Sequence, residues 1–214
     1  MPTWRLVVSS QNHDQIGNRA VGDRITASLD DDQLACAALL TLCGPFTPML
    51  FQGEEWAAST PFQFFTSHPE PELGRATAEG RIAEFASHGW DPEAVPDPQD
   101  PATFERSKLD WSEADSDRGG RLLAVYRELA RLRRAHCDLT DPSFESTECH
   151  ADEAARFFTM RRGSLLVLVN FGDRPLAAEV GAVELLFETE SGVEIDGNVV
   201  RLPAHAGALV RPRD

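Results

Sequence analysis

The sequence of 214 residues has a formal net charge of −15 at pH 7, with 42% hydrophobic and 26% charged residues. This composition is typical of a soluble globular protein that forms one domain or two small ones. The acidic charge argues against binding to nucleic acid or to an anionic membrane surface, because both need clustered Lys and Arg, and it favours a neutral or cationic ligand.

The cysteines and the hydropathy pattern indicate a reducing compartment. The four cysteines include no Cys-x-x-Cys pair, and Cys36 and Cys43 lie in an apolar helical stretch where cysteine acts as a small hydrophobic residue. The first residues lack a basic leader, and no apolar run approaches the ~20 residues that a membrane-spanning helix needs. We therefore expect a cytoplasmic protein.

The first 51 residues predict a parallel β-α-β unit. Residues 4–9 are short, apolar and β-branched, as expected of a strand that is covered on both faces. The acidic run at 30–32 supplies an N-cap for a following helix, and Gly44 with Pro45 ends it. Residues 47–51 then form a second buried strand, which gives the order typical of parallel sheets.

The rest of the chain shows two further sequence patterns. Residues 52–119 form a long connection with a helix predicted over 72–87. Residues 121–136 then form a predicted amphipathic helix. Its apolar face comprises Leu122, Tyr126, Leu129 and Leu132. Short apolar or alternating runs separated by Gly, Asp and Asn then predict an antiparallel β-domain, with its best hairpin signal at 196–198. The sequence therefore predicts two domains, an α/β portion at 1–139 and the antiparallel β-domain at 140–214.

A polar triplet, Asn12, His13 and Asp14, follows the first predicted strand. The C-terminal ends of parallel strands are where α/β barrels place catalytic groups, and Asp14 could hold sugar hydroxyls or balance a developing cation beside His13. The alternative is a turn with an Asx cap. A metal-binding His-Asp dipeptide, as in phosphohydrolases, would need further His and Asp ligands, and none is suitably spaced.

Two carboxylates, Glu54 and Glu55, end the second predicted strand on the same face of the same sheet. Together with Asp14 they could supply the pair of carboxylates that glycoside hydrolysis uses. Alternatively, they orient neighbouring groups or form ion pairs with Arg19 or Arg24.

Aromatic residues are frequent between positions 56 and 111. Their rings could stack on sugars, or they could form a small core within the loop itself. The sequence leaves both interpretations open.

Five motifs together carry a resemblance to a known family. They are QNHDQIGNRAVGDR at 11–24, LFQGEEWAASTPFQFFTSH at 50–68, GRIAEF at 80–85, VPDPQDPATFERSKLDW at 95–111 and YRELARLRR at 126–134. They resemble the α-amylase superfamily and, within it, the malto-oligosyltrehalose trehalohydrolases. The block at 60–111 makes the resemblance specific, and it extends through essentially the whole chain. It implies an α/β fold: strands seven and eight of a (β/α)8 barrel with their helices, followed by a small antiparallel β-sandwich domain.

The resemblance also implies an activity and roles for individual residues. The family cleaves the α-1,4 bond that joins a maltooligosaccharide to a terminal trehalose unit, with retention at the anomeric carbon and with no metal or organic cofactor. Asp14 matches the carboxylate that stabilises the transition state. The remaining implied assignments are substrate contacts at Asn12, His13, Gln15, Phe62 and Phe64, and supporting roles for Glu55 and Arg19.

One departure from the family is large. The nucleophile and the acid/base residue belong on barrel strands four and five, which this chain lacks. We therefore expect it to be catalytically incomplete alone, and to pair with the missing N-terminal barrel half or to self-associate. Two alternatives are a non-catalytic module that binds maltooligosaccharide or a partner, and a superfamily enzyme of branching or transglycosylation.

Overall fold

The computed structural model of the protein describes residues 1–213. The α-helices are α1 His13–Gly17, α2 Asp31–Cys43, α3 Pro71–Ser87, α4 Pro101–Arg106, α5 Asp117–Ala135 and α6 Cys137–Thr140. The strands are β1 Val7–Val8, β2 Thr47–Pro48, β3 Thr147–Asp152, β4 Phe157–Arg162, β5 Leu165–Asn170, β6 Leu176–Glu179, β7 Val183–Glu188, β8 Glu194–Asp196, β9 Val199–Leu202 and β10 Gly207–Pro212. In the part of the chain described, no helix is both long enough and apolar enough to cross a membrane.

Helix α2 begins and ends where the sequence predicts. The Asp30 side chain accepts a hydrogen bond from the Gln33 backbone N–H at 2.8 Å, and the Gln33 side chain accepts from the Asp30 N–H at 3.0 Å. This reciprocal capping box satisfies two backbone donors that lack a partner within the helix. The helix stops at Gly44, so the predicted boundaries are confirmed.

The predicted β-α-β unit is present, but its strands are shorter and more exposed than expected. Strands β1 and β2 pair in parallel, with Val7 opposite Thr47 and Val8 opposite Pro48. Each strand has only two residues, and Val7 is 60% exposed. The prediction of two buried strands is therefore wrong. Burial of a parallel strand requires neighbours on both sides and on both faces, and this sheet has two strands.

The two long helices agree with the sequence. Helix α3 starts at Pro71, whose fixed φ suits a first helical position, and it ends at Ser87. Helix α5 buries the predicted apolar face, which comprises Leu122, Tyr126, Leu129 and Leu132.

The segment that follows is antiparallel, as predicted. One five-stranded sheet has the order β3-β4-β5-β10-β7, and one three-stranded sheet has the order β6-β9-β8. The two sheets share a core made of Leu166, Leu168, Val183, Val200, Leu202, Ala208 and Val210. The hairpin predicted at 196–198 joins β8 to β9, and Gly197 there has φ of +59°.

The described chain divides into two compact units that are each discontinuous in sequence. One comprises Met1–Ser10, Asp30–Met49 and the chain from Gly120 onward, and the other comprises Gln11–Leu29 and Leu50–Gly119. The predicted site residues all fall in the second unit. The division at 139/140 stays a prediction.

Candidate functional site

The polar triplet forms the start of a short, well-capped helix. The Asn12 side-chain oxygen accepts a hydrogen bond from the Gln15 N–H at 2.8 Å, and the Asn12 carbonyl accepts from the Ile16 N–H at 3.1 Å. Asn12 thus forms the Asx cap that one interpretation of the sequence predicted. The cap uses the backbone of Gln15, whose side chain lies on the exposed surface.

His13 and Asp14 occupy the first turn of α1 and project into solvent. Their side chains are 69% and 74% exposed, and the His13 Nε2 lies 3.4 Å from the Asp14 Oδ1. The cap fixes the backbone of the turn and leaves both functional groups accessible. The Asx-cap interpretation and the functional interpretation are therefore compatible.

The loop that carries the predicted substrate contacts lies against the segment after α1. The Phe62 N–H donates to the Gly22 carbonyl at 2.8 Å. Gly22 has φ of +67°, and a Cβ at this position would lie 2.6 Å from the Phe62 carbonyl oxygen and 2.7 Å from the Gln63 Cα. Glycine is required there because both the backbone conformation and the close approach exclude a side chain.

The aromatic side chains of this unit pack largely on one another. Phe62 lies between Phe51, at 5.2 Å between ring centroids, and Phe65, at 5.8 Å, and Phe65 in turn contacts Phe104 at 5.0 Å. These edge-to-face contacts fit the interpretation of a small core within the loop. Phe64 is 37% exposed, so part of its ring is accessible. A sugar contact by Phe62 or Phe64 stays a prediction.

Glu54 and Glu55 lie in a 3₁₀ turn, Glu54–Trp56, which follows Gly53 at φ of +86°. The prediction that they end the second strand is wrong, because β2 ends at Pro48 and the chain turns before reaching them. Glu54 is 4% exposed, and its Oε2 accepts a hydrogen bond from the Phe51 N–H at 3.0 Å. Glu55 is half-buried, and within residues 1–213 its Oε2 has no hydrogen-bond partner.

Arg24 is a buried cation that interacts electrostatically with both carboxylates. It is 2% exposed and donates to the carbonyl oxygens of Thr60 at 2.6 Å and Gln52 at 2.8 Å. Burial lowers the pKa of the Arg24 guanidinium, and the negative charges of Glu54, Glu113 and Glu55 oppose that shift. This arrangement agrees with the structural alternative, in which the two carboxylates balance a buried arginine.

Arg19 has a different partner. Its Nη2 lies 2.6 Å from the Asp23 Oδ2, four residues further along the chain in the segment after α1. The hydrogen bond from Arg19 lowers the pKa of the Asp23 carboxyl. A supporting role for Arg19 would therefore act through the segment that follows α1.

Arg81 contacts the α1 segment although the sequence does not predict it as a site residue. This residue lies on the buried side of α3, four positions before Phe85, and it is 9% exposed. Its Nη2 donates to the carbonyl oxygens of Gly17 at 2.7 Å and Arg19 at 3.1 Å. Its signals in the sequence were an arginine in the apolar face of a predicted helix and its place in the GRIAEF motif at 80–85, and neither gave it a role.

Solved structures with a similar fold are enzymes of the α-amylase family. A crystal structure from Salmonella typhimurium, assigned as an alpha amylase, matches with a TM-score of 0.83 at 33% identity, over 98% of this chain and 36% of that one. The alpha-amylase from H. orenii matches with a TM-score of 0.57 at 18% identity, over 97% of this chain and 40% of that one. The predicted α/β class with an antiparallel part is confirmed at this level.

Sequence relatives are more specific. Malto-oligosyltrehalose trehalohydrolase of Rhizobium sp. (strain M-11) is 56% identical over 206 residues, which are 96% of this chain and 35% of the relative. The protein of the same name from Mycobacterium tuberculosis (strain CDC 1551 / Oshkosh) is 48% identical over 99% of this chain and 36% of the relative. The predicted resemblance is therefore confirmed: the chain is a relative of the malto-oligosyltrehalose trehalohydrolases.

Two further findings define the extent of that relationship. The chain spans about a third of the length of these relatives. Residues 142–209 match a family described as a domain of unknown function, DUF3459, and this range holds the strands from β3 to β9 and the first half of β10.

Proposed function

We propose that the chain is part of a retaining glycoside hydrolase that cleaves the α-1,4 bond next to the trehalose end of maltooligosyltrehalose and releases trehalose. The observation that carries this proposal is the 56% identity to the Rhizobium trehalohydrolase across 96% of the chain. In this proposal β1 and β2 are strands seven and eight of a (β/α)8 barrel, α2 connects them, and the strands from β3 to β10 form a β-sandwich.

Asp14 has the exposure and the support that a transition-state carboxylate needs. Glycoside hydrolysis passes through an oxocarbenium-like state, and a fixed carboxylate near the sugar lowers the energy of the positive charge that develops. The cap by Asn12 fixes the turn, and the His13 Nε2 lies 3.4 Å from the Asp14 Oδ1, so both side chains would meet the same sugar. The nucleophile and the acid/base residue would come from the rest of the barrel, so the chain alone would not turn over.

Exposed apolar residues in and beside the β1–β2 sheet support a partner for this part of the fold. Val7 in β1 is 60% exposed, Trp4 before β1 is 58% exposed and Met49 after β2 is 41% exposed. An open two-stranded parallel sheet with an apolar surface is a template for further strands. The proposed occupant is the rest of the barrel, supplied upstream in the same polypeptide or by a separate chain.

The test uses a chimaera in which this chain replaces the matching 206-residue segment of the Rhizobium relative. We expect trehalose release from maltooligosyltrehalose by the chimaera and none by the chain alone. Asp14→Asn should lower kcat/KM by about a thousandfold, which corresponds to about 4 kcal/mol of transition-state stabilisation. The matched control is Asp173→Asn, an exposed carboxylate in the other compact unit, which should leave the rate unchanged.

Other outcomes would overturn the proposal in identifiable ways. Full activity of the Asp14→Asn chimaera would remove Asp14 from the mechanism, and activity of the chain alone would contradict its catalytic incompleteness. Branched glucan in place of trehalose would indicate transglycosylation. Binding of maltooligosaccharide by the isolated chain, unaffected by His13→Ala and Asp14→Asn, would favour a non-catalytic module.

A further inference from the structure

We propose that Arg81 is a positioning residue that fixes the His13–Asp14 turn and couples it to the loop at 62–65. The structural part of this inference stands on contacts within one compact unit. Its catalytic consequence rests on the proposed function.

Arg81 holds the end of α1 that the Asn12 cap does not reach. The last carbonyl groups of a helix have no partner within the helix, and α1 has only five residues. Arg81 donates to the carbonyl of Gly17, the last helical residue, and to that of Arg19. With Asn12 at one end and Arg81 at the other, both ends of the turn that carries Asp14 are fixed by side chains.

The guanidinium of Arg81 contacts the faces of two aromatic rings. Its central carbon is 4.7 Å from the ring centroid of Phe64 and 4.8 Å from that of Phe85. A planar guanidinium can stack on two rings and donate hydrogen bonds in its own plane at the same time, whereas a lysine ammonium cannot. Burial lowers the pKa of Arg81, as expected of a cation held between apolar groups.

The two rings connect Arg81 to different parts of the unit. Phe85 belongs to α3 and packs in a small apolar cluster with Ala20 and Val95. Phe64 belongs to the loop that also bonds to Gly22 through Phe62. One guanidinium therefore contacts the α1 turn, the loop and the helix, so we expect a displacement of the loop to move the turn that carries Asp14.

The first test measures backbone amide hydrogen exchange in the isolated chain. The reporting amides are those of Gln15, Ile16, Asn18 and Arg19, which are hydrogen-bonded in the α1 turn. Arg81→Met should speed their exchange by about tenfold or more, because the free energy of local opening falls when two charged hydrogen bonds are lost. Arg81→Lys should give an intermediate effect, and exchange within α2 should not change.

Arg75→Met is the matched control, because Arg75 lies on the exposed side of the same helix. It should leave the α1 amides as protected as in the unaltered chain. Unchanged exchange of these amides in both Arg81 variants would overturn the proposal. An equal acceleration in α2 and α1 would also overturn it, since it would mean that Arg81 supports the fold generally.

The second test measures kinetics in the chimaera with the Rhizobium relative. A carboxylate displaced by about 1 Å costs on the order of a hundredfold in rate, so we expect Arg81→Met to lower kcat by that factor with KM changed less than about threefold. Arg81→Lys should recover part of kcat. A change in KM alone would contradict a positioning role. If the exchange results hold while the unaltered chimaera releases no trehalose, the proposed function fails and the positioning of the turn stands.

Discussion

At the level of single residues, the structure shows that two interpretations of the polar triplet are compatible. Asn12 uses its side-chain oxygen as the cap, and its predicted substrate contact stays a prediction. The carboxylate of Asp14 remains exposed, so the capped turn presents it instead of replacing it. Arg19, predicted as a supporting residue, contacts Asp23, and this ion pair leads to a prediction about pH.

Asp23→Asn should reduce stability only where Asp23 is ionised. The hydrogen bond from Arg19 lowers the pKa of Asp23 in the folded protein, so the pair stabilises the fold above the unfolded pKa of about 3.9. This stabilisation is lost as the pH falls through the lower pKa of the folded state. Because the pair is partly exposed, we expect a loss of about 0.5 kcal/mol at pH 7. Urea unfolding at pH 7 and pH 2 measures it, and an equal loss at both pH values would contradict the assignment.

At the level of elements, helix ends are stabilised by contacts from distant parts of the chain. Arg133 of α5 donates to the carbonyl oxygens of Leu42 at 2.6 Å, Gly44 at 2.9 Å and Phe46 at 2.7 Å. These groups include the C-terminal end of α2, where carbonyls lack a partner within the helix. A single guanidinium on α5 thus supplies hydrogen-bond donors to the carbonyl groups at the C-terminal end of α2.

Arg133→Met should lower the free energy of unfolding by about 3 kcal/mol, because charged hydrogen bonds are lost and the carbonyls remain poorly solvated. The control is Arg134→Met, which removes the adjacent but exposed arginine and should change stability by less than about 0.5 kcal/mol. Urea unfolding monitored by circular dichroism compares the two variants. A similar effect of both would mean that the capping contacts contribute little.

The same contacts explain which elements the sequence could predict. Helices α2 and α3 carry local signals, the acidic cap at Asp30 and the proline at Pro71, so their bounds were predictable. Strands β1 and β2 were predicted too long because their extent depends on pairing partners elsewhere in the chain. Arg81 could not be assigned, since its two carbonyl partners lie 64 and 62 residues away.

At the level of the whole molecule, the described part of the chain combines an α1 turn that is fixed by hydrogen bonds at both ends with a two-stranded sheet that has unpaired edges. The turn residues, from Asn12 to Arg19, belong to one compact unit and are held there by the Asn12 cap and by Arg81. The β1–β2 sheet, in contrast, has two strands and exposes Val7. The relatives are about three times as long as the chain, which agrees with a fold that is completed by further strands.

Val7→Lys should therefore prevent completion of the sheet without disturbing the rest of the fold. A charge on an open strand edge disfavours pairing with another strand. We expect the unaltered chain to self-associate in sedimentation, and the Val7→Lys variant to remain monomeric with an unchanged unfolding midpoint. In mixtures with the unmatched part of the Rhizobium relative, the same variant should fail to form a complex.

Ile195→Lys is the matched control, because Ile195 is a β-branched residue, 38% exposed, on the edge strand β8 of another sheet. If pairing occurs at β1, this variant should associate like the unaltered chain. Loss of association in both variants would assign the effect to general apolar exposure. Retained association in Val7→Lys would place the contact elsewhere and contradict the proposed occupant of the sheet.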